Sequence, residues 1–175
     1  VSNLKLTYTV FGFFILTHEA GHRTLFKTQS LNQVTSRWLT SPVDFFNGDA
    51  YMREHLVHHQ AAGTERDPDL TNYVDYPISK ERLKRKLKRD LTGQTGSRNL
   101  LATYKAIWQL NAQTPENREA LVRGLVVNFL MFAVMVGFGV AWLYLVWLAA
   151  LIFTYPAIVR IRQIAEHAAV PDLSS

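Results

Sequence analysis

Residues 124–159, GLVVNFLMFAVMVGFGVAWLYLVWLAALIFTYPAIV, run for 36 positions without a charge between Arg123 and Arg160. A helix crossing the roughly 30 Å hydrocarbon core of a bilayer needs about 20 apolar residues, and 36 residues rising about 1.5 Å each reach about 54 Å. That is too long for one span and nearly enough for two. The reading is therefore a transmembrane helical hairpin over 120–160. Gly137 and Gly139 are suited to its tight turn, and Trp142 and Tyr144 beside it suit the aromatic position at a membrane interface.

A second apolar segment, 6–17 (LTYTVFGFFILT), leads directly into the polar sequence His18-Glu19-Ala20-Gly21-His22. With Lys5 snorkelling at the far side, a transmembrane helix over about 4–22 just crosses and presents the two histidines at its exit. The fold expected is all-α: an integral membrane helical protein in one domain over 1–175. It comprises an incoming transmembrane helix, a cytoplasmic or interfacial region over 23–119, the hairpin, and a cytoplasmic segment over 161–175 carrying His167.

Orientation follows from charge. Of 19 Lys and Arg, 16 lie between Arg23 and Arg123 and two more, Arg160 and Arg162, follow the hairpin, leaving Lys5 alone on the other side. The positive-inside rule puts the histidine side in the cytoplasm. The hairpin agrees with this, because only an even number of crossings returns His167 to the side of the earlier histidines.

All six histidines fall into clusters with metal-ligand spacing. His18 and His22 are four apart, so on a helix their imidazoles share one face, roughly 5–6 Å apart at Cβ. His55, His58 and His59, in HLVHH, stand at i, i+3 and i+4 and read as one helical stripe. His167 follows Glu166. Five imidazoles in two neighbouring patches suggest more than one metal ion, but imidazole suits zinc, copper, iron and nickel alike, so the ligands alone do not select the metal. The chain has no cysteine, which excludes disulfides and thiolate-bound haem or iron–sulfur clusters within it.

Three functions compete on these residues. HEAGH matches the H-E-x-x-H of zinc metalloproteases, in which Glu19 is the general base; that reading leaves HLVHH unexplained and places Gly21, a poor helix former, inside the motif. A non-catalytic membrane metal-binding protein is the second. The third rests on a resemblance: HEAGH, HLVHH and RQIAEH, joined to an uncharged hairpin, resemble the histidine boxes of the membrane fatty acid desaturase and hydroxylase superfamily.

The resemblance implies two iron ions held by His18, His22, His55, His58 and His59, with His167 as an additional ligand and Gln163 as a polar neighbour of the metal. It implies O2-dependent attack on an unactivated C–H bond of a fatty acyl lipid or thioester, giving a double bond or a hydroxyl. Electrons would come from an external donor such as ferredoxin or cytochrome b5. The superfamily's last box, H/QxxHH, is absent, and six histidines fall short of the eight or more it uses. With no initiator Met at Val1, the chain is expected to be a fragment, inactive alone. Glu19 and Glu166 are expected to orient imidazoles, and Asp67 and Asp69 to shape a turn rather than touch metal.

Three further segments complete the reading. Residues 63–70, GTERDPDL, form a polar turn. Residues 80–90, KERLKRKLKRD, carry seven basic residues, with Leu83, Leu87 and Leu91 as a narrow apolar stripe, suited to an anionic inner leaflet. No nucleic-acid recognition motif accompanies this charge, so no nucleic-acid partner is expected. Residues 92–98, TGQTGSR, read as a flexible loop, and the tail AAVPDLSS as the end of the last helix.

Overall fold

The computed structural model describes residues 3–167, with side chains from Thr9 onward. Lys5, expected to snorkel, and the tail AAVPDLSS lie outside these limits. The described residues are helical with no strand. The order is α1 (Asn3–Gly21), α2 (Gln29–Val34) running into a π-helical turn (Thr35–Thr40) and a 3-10 turn (Ser41–Asp44), then α3 (Gly48–Ala61) and α4 (Leu70–Tyr73). There follow α5 (Lys80–Leu91), α6 (Gln94–Trp108), α7 (Pro115–Gly137), α8 (Trp142–Ala149), a π-helical turn (Ala150–Thr154) and α9 (Tyr155–His167).

The hairpin forms as its sequence demands. Thr114 accepts a hydrogen bond from the Asn117 amide and Pro115 occupies the first turn, so α7 starts with a cap and a residue whose fixed φ suits it. The chain reverses after Gly137, where Gly139 takes φ +70°, a conformation that costs glycine little. Pro115–Gly137 (23 residues) and Trp142–His167 (26 residues, continuous through the π turn) are the two described helices long and apolar enough to cross a membrane. Only 22% of either apolar window is buried. That separates them from the core helices of a soluble protein, because Phe129, Leu130, Val134 and Leu145 point outward and Phe138 at the tip is 80% exposed. Lipid is the solvent that suits such a surface.

Helix α1 is 19 residues long, and its last turn spends length on His18 and Glu19; it is not one of those two helices. It packs against the second span. Val10, Val43, Trp147 and Ala150 form the core, with Phe13 meeting Trp147 edge-on at 6.1 Å. Helix α7 closes on the 3-10 turn through Gly124, where an added Cβ would strike Phe45, and through buried Asn128, which donates to the Pro42 and Gly124 carbonyls and accepts from Tyr144. Such hydrogen bonds are each worth about 1 kcal/mol in a bilayer.

One expectation fails. Residues 92–98 are not a flexible loop: only Thr92 and Gly93 turn, with Gly93 at φ +82°, and α6 begins at Gln94. Thr95 donates to Asp90 and Gly96 lies so close to the Ile152 backbone that a Cβ would stand 2.2 Å from its carbonyl oxygen. Here glycine marks close packing rather than freedom.

Candidate metal centre

Helix α1 delivers the first histidine pair. Its hydrogen-bond ladder reaches His22, whose amide donates to the His18 carbonyl, before Arg23 turns left-handed at φ 62° and Thr24 caps the Glu19 carbonyl. Gly21 allows α3 to approach, since a Cβ there would lie 2.3 Å from Met52 Sδ. Helix α3 is capped by Asn47, which accepts from the Ala50 amide, and its last turn carries His58 and His59. Arg53, paired with Glu116 at 2.6 and 2.7 Å, and Asn47, bonded to Asn117, hold α3 against the start of α7.

The stripe expected of HLVHH divides. At 3.6 residues per turn His58 and His59 diverge by about 100°, on opposite sides of His55. His55 and His59 join His18 and His22, and their ligand nitrogens lie within 4.8 Å of one another. His18 Nε2 is 2.9 Å and His59 Nε2 3.0 Å from His55 Nε2. His58 turns to a second group with Asp69 and His167, again within 4.8 Å. The His58 and His167 rings stand 4.6 Å apart, so the hairpin does return its final histidine to the others. The two groups are neighbours, with the His55 and His58 rings 6.0 Å apart.

The first group fits a cation. His18 Nδ1 lies 3.0 Å from Glu19 Oε1 and donates to it, which leaves the His18 Nε2 lone pair facing inward. Burial, aided by the surrounding imidazoles, pushes His55 down to about 3, so it is neutral at physiological pH. Three Nε2 atoms thus converge around His55, and one neutral ring cannot donate to both of its neighbours. A first-row metal ion satisfies all of them, since two nitrogens at about 2.1 Å and at right angles about one ion are about 3 Å apart.

The second group is held by carboxylates. His58 Nδ1 donates to Asp67 Oδ1 at 2.8 Å, and Asp67 also accepts from the Tyr73 hydroxyl and from the Gly63 and Asp69 amides. Burial opposes the ionisation of Asp67, but these donors hold it well below the usual carboxylate range. Asp67 therefore shapes the turn, as expected, and also fixes the ring of His58. Asp69 goes further than expected: it accepts from Asn72 and its carboxylate stands among the ligand atoms. Glu19 orients His18, whereas Glu166 pairs with Arg162 at 2.6 Å instead of an imidazole. The Gln163 side chain makes no hydrogen bond to a described residue. Tyr51, stacked on His55 at 5.2 Å and flanked by Phe14 and Phe46, forms an aromatic wall beside the first group.

With two donor groups at the end of a membrane hairpin, comparison at the family level is decisive. The family described as fatty acid desaturase matches residues 4–174. The chain belongs to the fatty acid desaturase family. No match was found among curated proteins or among solved structures. At the family level this desaturase-family chain is a lipid-modifying oxidoreductase of membranes, in a family that is generally di-iron dependent.

Proposed function

We propose that the chain uses a histidine-ligated di-iron centre to introduce, with O2, a double bond or a hydroxyl into a fatty acyl lipid or thioester. The observation that carries this is the division of seven donors into two adjoining groups, His18, His22, His55 and His59 beside His58, Asp69 and His167. Two iron ions in these groups would supply the activated oxygen chemistry that unactivated C–H bonds require. Glu19 and Asp67 keep their imidazoles turned inward, and the wall of Phe14, Phe46 and Tyr51 gives an acyl chain an apolar approach to His55. Electrons are assigned to an external donor such as ferredoxin or cytochrome b5.

The geometry weakens the protease reading. A general base must face the open coordination position, yet both Glu19 oxygens are engaged, by His18 and by Thr24 at 2.6 Å, and four imidazoles surround the place where water would sit. Elemental analysis of anaerobically purified protein, paired with lipid profiling of expressing cells, tests the proposal. Iron near two per chain with an altered acyl profile is expected; a single zinc with peptide hydrolysis abolished by Glu19→Gln overturns it, and metal without O2 consumption favours a binding protein.

The histidine side is assigned to the cytoplasm. Because the sequence has no cysteine, Phe138→Cys at the hairpin tip should label only from outside and Lys84→Cys only from inside. Labelling of both from one side breaks the hairpin topology.

A further inference from the structure

Helix α5 splits its apolar stripe, and Leu91 at its end stays exposed. Leu83 and Leu87 turn partly inward, and fully buried Asp90 binds Arg160 of α9, with one of its hydrogen bonds at 3.0 Å. What it leaves outside is charge: Arg82, Arg85, Lys86, Lys88 and Arg89, with Gln94 of α6, line an open groove of about 400 Å³. Arg82 is paired with Asp75 and Lys86 lies over the Tyr76 ring, and Arg89 feels the charge of Asp90 beside it, whereas no described carboxylate pairs with Arg85 or Lys88.

The height of this groove is set by the fold. Arg160 is the residue at which the 36-residue uncharged run ends, so its bond to Asp90 ties the end of α5 to the level where hydrocarbon gives way to headgroups. Immediately beyond, Gly96 packs on Ile152, eight residues or about 12 Å along the span from Arg160, which holds the start of α6 against the Arg160 half of that helix. Helix α6 has the matching character. Leu100, Leu101, Tyr104 and Trp108 form one exposed stripe, Trp108 being 82% exposed, and Arg98 and Lys105 follow on the adjoining face. An apolar stripe with aromatic tips beside unpaired cations is the arrangement that lies in a membrane interface.

We propose that the α5–α6 corner is a binding site for anionic phospholipid headgroups, with the groove holding the phosphate and the α6 stripe seated in the acyl boundary. The chain has no cysteine, so Lys84→Cys and Leu101→Cys carry a fluorophore without background. The labelled protein is placed in nanodiscs of phosphatidylcholine alone or with phosphatidylserine, and quenching by acrylamide and by brominated lipid is measured. Leu101 should be quenched by brominated lipid in both discs. Lys84 should gain protection from acrylamide of about five-fold or more with phosphatidylserine, reversed by high salt and lost in Arg85→Glu/Lys88→Glu/Arg89→Glu. Equal quenching at Lys84 in both discs, which needs no charge variant, overturns the site. Protection by inorganic phosphate alone in phosphatidylcholine discs makes it a soluble-anion site, and protection that requires an added acidic protein makes it a protein dock; either outcome also overturns the proposal.

Discussion

The two donor groups differ in how the chain builds them. His18, His22, His55 and His59 come from two helices in direct contact, α1 and α3, at i, i+4 spacing on each, and all four offer imidazole. His58, Asp69 and His167 come from α3, the turn before α4 and the end of α9, and one of them is a carboxylate. The first group needs one packed helix pair. The second needs the α9 end of the hairpin to return His167, 109 residues after His58, which is why it depends on contacts far from any histidine.

His55→Ala tests the first group most severely, because His55 Nε2 meets both His18 and His59. Complete loss of lipid product and of metal from that group is expected, read by product analysis and metal content. His167→Ala should remove one of two ions and leave the four-imidazole group loaded; loss of both together would show that the groups act as a unit.

Asp90→Ala attacks the second group at a distance. It leaves Arg160, seven residues before His167, without its partner, and costs about 3 kcal/mol with metal lost first from the His58 side. The same pair sets a pH dependence. Burial opposes the ionisation of Asp90, but Arg160 and Thr95 hold its carboxyl below the ordinary value. A carboxyl lowered in the folded state stabilises fully above its ordinary pKa, and that contribution is lost as pH falls through the lower folded value. Thermal denaturation should give a Tm that falls below about pH 4, and Asp90→Asn should flatten that slope.

Smaller effects sharpen the contrast. Asp67→Asn keeps the shape but removes the carboxylate from His58 Nδ1, and should weaken metal binding about 10–100-fold on that side alone, measured by chelator competition. Gly21→Ala should cost about 1 kcal/mol in thermal stability, since the added methyl meets the flexible end of Met52. A larger loss there would mean that the α1–α3 contact is more rigid than its methionine implies.

Much of the fold was legible because its signals are local. The length of the uncharged run, Gly137 and Gly139 at its middle, and histidines at helical spacing depend on composition and on the pitch of a helix. Glu19 was readable too, being adjacent to the ring it orients. Asp67 and Asp69 carried a signal, two carboxylates eight and ten residues after His59, but their roles follow from a turn that folds back on His58. Gly96 misled, because a glycine for close packing and a glycine for flexibility look alike until the neighbour is known.

The sequence by itself determined the helical class, the hairpin and the clustering of six imidazoles, since hydropathy and periodicity belong to each segment alone. Tertiary structure decided which of these side chains stand together. On α3 the spacing puts His58 and His59 on either side of His55, but only the packing of α1 against one flank and of the turn and α9 against the other assigns His59 to the imidazole group and His58 to Asp69 and His167. Grouping depends on distances between segments far apart in the chain, and those distances are set by contacts such as Gly96 on Ile152 and Asp90 with Arg160, where no histidine is present.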